Sequence, residues 1–131
     1  MSDASFAPTS RYGQSGILIW LTSPSSTIGC NTLLPLSPSY LIEWHSCKQR
    51  RIANSSLGAE ILAASHADDM LVGITQAFAT IVPAMTLSNQ LLLDSRSLFH
   101  LISTFKHSGT DPRLAAVVDR LRDSFFFERP Q

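Results

Sequence analysis

The sequence predicts an α/β protein, a mixed sheet flanked by helices in the order β-β-β-α-β-α-α, and three observations carry that prediction. Two runs, GILIWLT (Gly16–Thr22) and YLIEWHS (Tyr40–Ser46), are apolar, β-branched and aromatic, the composition of strands. From Ser55 the period changes. Leu57, Ile61, Ala64, Ala67, Leu71, Ile74, Phe78 and Ile81 recur at three- and four-residue steps, the stripe of one long helix laid on a sheet. Near the C-terminus, Leu114, Val117, Val118, Leu121 and Phe125 form the apolar side of a further helix.

Each element has its own signals. SDASFA at the N-terminus reads as a short first strand. The segment SPSSTIGCNTLLPLSPS between the two strong strands is rich in Pro, Ser, Gly and Asn and suits a long hairpin loop. Asn54, Ser55 and Ser56 are cap candidates for the long helix, and Pro83 ends its pattern. QLLLD (Gln90–Asp94) reads as a short buried strand closed by an acid. In SRSLFHLISTF, Leu98, Leu101, Ile102 and Phe105 have helical spacing. For the last helix Asp111 is the cap and Pro112 the first residue. A three-layer packing is expected, with Ile17, Ile19, Trp20, Ile42, Trp44 and Leu92 covered by the long helix.

The chain has 131 residues, the length of one domain (1–131) with a real core. A formal net charge of zero excludes binding driven by bulk basicity, so any nucleic-acid contact must come from a local patch. The two cysteines, Cys30 and Cys47, are too few for a disulfide framework and, with His45 and His66, lack zinc-ligand spacing. The polar start argues against a secretory signal, and no apolar run approaches a membrane span. An intracellular protein, not secreted and with no membrane partner, is the expectation.

Three acids stand out by context: Asp3 in the first strand, Glu60 between Ala59 and Ile61 in the long helix, and Asp94 at the end of the QLLLD strand. Taken singly, Asp94 reads as a helix cap and Glu60 as a surface decoration. Jointly they fit a pattern. SDASFA with GQSGILIWL, then WHSCKQRRIANSSLGAEILAAS, then LLLDSRSLFHLI resembles the ribonuclease H domain of copia-type retrotransposon polyproteins. The matching residues are Asp3, Ser15, Gly16, Trp44, Ser46, Lys48, Gln49, Ser55, Ser56, Ala59, Glu60, Asp94 and Ser97, and the resemblance runs from Ser2 to about Phe125.

The resemblance implies a ribonuclease H-like fold and hydrolysis of the RNA strand of RNA–DNA hybrids. It also implies Mg²⁺, with Mn²⁺ as a substitute, and the reverse transcriptase portion of a polyprotein as neighbour. Asp3, Glu60 and Asp94 become catalytic metal ligands. In-line phosphodiester hydrolysis needs the developing charge neutralised and a water activated, and two Mg²⁺ about 4 Å apart do both. Mg²⁺ takes hard oxygen ligands, so a few carboxylates from different elements suffice. Lys48, Gln49, Arg50, Arg51 and Arg96 are candidates for holding the duplex, with Ser55, Ser56 and Ser95 as hydrogen-bonding partners. Capping duty is the plainer role for those serines.

The chain also departs from that family. Beyond the helix matching Arg113–Phe125 the family continues into a fifth strand and a segment bearing a fourth acid, whereas here FFFERPQ matches neither. Gly58 stands where the family often has an acid, and Asp119 and Asp123, flanked by Arg120 and Arg122, read as solvated helix charges. The expectation is weakened activity, with a non-catalytic retroelement remnant acting as an interaction module as the alternative. An uncovered sheet edge would favour self-association.

Overall fold

The computed structural model describes residues 1–5, 12–22, 39–84, 86–104 and 112–126, with the side chains of Asp3 and Phe126 outside the description. The protein is mixed α/β. Strands β1 (Ser2–Ser5), β2 (Gln14–Thr22) and β3 (Ser39–Lys48) form an antiparallel sheet in that spatial order. Helices α1 (Ser56–Ile81), α2 (Arg96–Ser103) and α3 (Pro112–Phe126) follow. The loop expected at 23–38, with Cys30, and the Asp111 cap lie outside the described residues.

Strand alternation sets which side chains meet the helices. Ser15, Ile17 and Ile19 are buried, and Ile17 and Ile19 pack with Ala67, Met70, Leu71 and Ile74 of α1. The other face is exposed: Leu18 is 37% accessible, Trp20 39%, Ile42 39% and Trp44 66%. The expected cover over Trp20, Ile42, Trp44 and Leu92 is therefore not found. Among the described residues α1 covers one face of the sheet only, and a strand can bury only alternate residues against it.

The fourth strand is also weaker than predicted. Gln90–Asp94 makes a single parallel bridge, Leu93 to Ser2, supported by the Ser2 amide donating to the Leu92 carbonyl at 3.3 Å. β1 has four residues and offers little edge to extend the pairing.

α1 starts as its sequence indicates. Ser55 is the N-cap, its Oγ accepting from the Gly58 amide at 3.0 Å. One side of α1 meets the sheet; the other packs on α2 and α3 through Ile61, Ala64, Leu98, Leu101, Ile102, Val118 and Leu121. Leu91 touches both clusters and joins them. The stripe reaches less far than predicted, since Ile81 is 77% exposed. A Cβ on Gly58 would meet Leu114 Cδ1 of α3 at 3.3 Å, so α3 holds that position small.

Arg122 is not the solvated charge its neighbours suggest. It is buried, its Nε donating to the Ile102 carbonyl at 3.1 Å and a terminal nitrogen to Leu101 at 2.6 Å, so it caps the C-terminal end of α2. Its third contact is Asp119, at 3.0 Å. Arg120 pairs with Asp69 of α1 at 3.0 Å, and buried Asp68 accepts from Ser124 at 3.1 Å.

Candidate functional site

Two clefts open beside the start of α1, and most of the candidate residues divide between them. The first, about 250 Å³, is lined by Ser56, Leu57, Glu60, Asp94, Ser95 and Ser97. Glu60 lies in the second turn of α1, half-buried, between buried Ala59 and Ile61. Asp94 follows the Leu93 bridge and precedes Ser95, the N-cap of α2, whose Oγ accepts from the Leu98 amide at 3.3 Å. The bridge thus delivers Asp94 to the mouth of the cleft while the cap turns the chain away into α2. Glu60 and Asp94 share one cavity.

Asp3 is placed by its backbone alone. It pairs with Gly16 of β2, and one residue past the Ser2–Leu93 bridge the two chains reach Asp3 and Asp94. Its side chain, and with it the expected convergence of three carboxylates, lies outside the described residues.

The second cleft, about 410 Å³, is basic. Arg50, Arg51 and Arg113 line it together with Tyr12, Asn54, Ser55 and Leu114. Leu57 belongs to both clefts, so they flank a single helix start. Free amides and the macrodipole at that start favour anions. Arg113 was missed in the sequence; only its place on the α3 face beside Leu114 could have signalled it.

The remaining candidates have other positions. Lys48 ends β3 with its Nζ 4.3 Å from the centroid of the Tyr12 ring, a cation–π contact. Arg96 is exposed on the first turn of α2. Gln49 differs most from expectation, because it is buried. Its amide nitrogen donates to Ser15 Oγ and to the Ala59 carbonyl, each at 2.8 Å, tying the end of β3 to β2 and α1. A duplex cannot reach a group so placed, which makes Gln49 a framework residue.

A third constellation has no zinc spacing in the sequence yet assembles in the fold. His45, Cys47 and His66 present donor atoms that all lie within 4.8 Å of one another. Spacing rules miss it because the donors come from strand β3 and from helix α1, which packs on the neighbouring strand β2. No protein-family model, curated protein or solved structure matches this chain.

Proposed function

We propose that this chain is a ribonuclease H-like domain of copia-retrotransposon type, slowly hydrolysing the RNA strand of RNA–DNA hybrids with Mg²⁺ or Mn²⁺. The observation that carries the reading is the shared cleft of Glu60 and Asp94, acids from separate parts of the chain that line one cavity with Ser56, Ser95 and Ser97. Hard carboxylate and hydroxyl oxygens suit Mg²⁺, so the donor set fits. Glu60 and Asp94, with Asp3 as the third expected ligand, would hold it. When bound, Mg²⁺ supplies charge neutralisation and an acidified water.

The protein's own groups do the rest. The basic cleft on the other flank of the α1 start holds backbone phosphates through Arg50, Arg51 and Arg113, positioning the duplex without reading its sequence. Lys48, over the Tyr12 ring that lines this cleft, extends its cationic surface, and exposed Arg96 stands between Ser95 and Ser97 of the other cleft. The reverse transcriptase portion of a polyprotein is the neighbour this reading implies.

Labelled hybrid with and without Mg²⁺ tests it. Slow metal-dependent cleavage is expected, falling at least tenfold in Glu60→Gln and in Asp94→Asn. Equal residual rates in both variants and the unaltered chain would remove the nuclease reading. A second reading, an interaction module, is favoured by the exposed Leu18, Trp20 and Trp44 on the outer face of the sheet. It predicts hybrid-independent self-association without cleavage.

A further inference from the structure

We propose that His45, Cys47 and His66 form a site for a borderline-soft divalent cation, Zn²⁺ foremost, that clips β3 to α1. The site is independent of the nuclease reading, which uses none of these residues.

The fold builds the cluster in two steps. His45 and Cys47 are two apart on β3 and share the face that meets α1, opposite Ile17 and Ser15 of β2. His66 lies on the sheet-facing side of α1, between Ala63 and Ala67, which are 0% and 1% exposed. Alanines there let α1 lie close on β2, where Ala67 packs with Ile17 and Ile19, and His66 reaches across to the neighbouring strand, its ring against that of His45. All three donors are half-buried, and Cys47 carries a free thiol.

The geometry fits a tetrahedral ion. Zn–N bonds of about 2.0–2.1 Å and Zn–S of about 2.3 Å set donor–donor distances of roughly 3.3–3.7 Å. The donors here lie within 4.8 Å, so small rotamer adjustments of half-buried side chains close the shell. The imidazole centroids are 5.0 Å apart with planes at 86°. Two imidazoles on one tetrahedral ion would have centroids about 5.2 Å apart. An edge-to-face ring contact alone gives similar spacing, but it does not call for a thiol within the same radius. Two imidazoles and a thiolate select Zn²⁺ or Co²⁺ over Mg²⁺, which wants oxygen. The described residues supply three donors, which leaves a fourth position to water or a further ligand.

The consequence is mechanical. Among the described residues β3 is bonded within the sheet to β2 alone, and Gln49 just beyond its end supplies a polar tie to α1. A metal at His45, Cys47 and His66 adds a second tie, higher on the strand.

Co²⁺ titration of the metal-free, reduced chain reads the site without any nuclease assay. One equivalent should give a thiolate-to-cobalt charge-transfer band and the intense visible bands of tetrahedral Co²⁺, both lost on adding Zn²⁺ and unmoved by excess Mg²⁺. Cys30→Ser should keep the charge-transfer band and Cys47→Ser should lose it, while His45→Gln and His66→Gln weaken Co²⁺ binding at least tenfold. In the Cys30→Ser chain, which needs no change at the site, Zn²⁺ should slow alkylation of Cys47 at least tenfold and raise the thermal midpoint. No charge-transfer band in that chain, a band surviving Cys47→Ser, or alkylation indifferent to Zn²⁺ overturns the proposal.

Discussion

Gln49 shows how one side chain can serve the frame of a site instead of its ligand. Its amide nitrogen joins Ser15 Oγ and the Ala59 carbonyl. Leaving such buried groups unpaired costs about 1–3 kcal/mol each. Gln49→Leu should therefore destabilise the fold by about 2–4 kcal/mol in urea unfolding. Unchanged stability with lower hybrid affinity would instead return Gln49 to the substrate surface. The same packing fixes Gly13, where an added Cβ would lie 2.7 Å from Gln49 Oε1 and 2.8 Å from the Ser5 carbonyl oxygen. A backbone oxygen yields little, so Gly13→Ala should cost about 1–3 kcal/mol. A denaturation midpoint within error of the unaltered chain would refute this.

At the scale of elements, α2 is a short helix held by caps at both ends. Ser95 accepts at its start, and Arg122 reaches from α3 to the carbonyls of Leu101 and Ile102 at its end. Hydrogen bonds to charged groups are worth about 1.5–3 kcal/mol, and a planar fork matches two adjacent carbonyls as an ammonium does not. Arg122→Lys should thus lose most of what Arg122→Met loses, about 2–4 kcal/mol, with faster amide exchange concentrated in α2. Uniform exchange across all helices would argue against the cap. This role was legible in principle, since Val118, Leu121, Arg122 and Phe125 follow one helical stripe; the charge pattern around Asp119 and Asp123 obscured it. The helices and two of the strands were readable because their periods are long or their composition strong. The five-residue run at Gln90–Asp94 was not, because pairing there depends on how much edge β1 offers.

For the whole molecule, the layer arrangement decides what the strand sequences could not. Both strand runs are apolar on both faces, as for a sheet covered twice, yet the described helical packing lies on one side. That Glu60 and Asp94 come near one another was legible because each sits near an element end, and the fold brings both ends to one cleft. The His45–Cys47–His66 cluster was not, because it needs the β3 register and the α1 rotation together. The outer face leaves Leu18 directly paired with Trp44, and Trp20 beside Leu41, on a strand that ends the sheet. Contiguous apolar surface next to an edge favours association. Removing side chains that are already half exposed takes little from the monomer, so Trp20→Thr with Trp44→Thr should change unfolding free energy by less than about 1 kcal/mol. A core change such as Leu121→Ala, at a residue with 0% exposure, should cost about 2–5 kcal/mol. In sedimentation velocity the unaltered chain should show concentration-dependent association that the double tryptophan variant loses. Identical sedimentation of the two proteins across concentration would mean that the outer face is not an association surface.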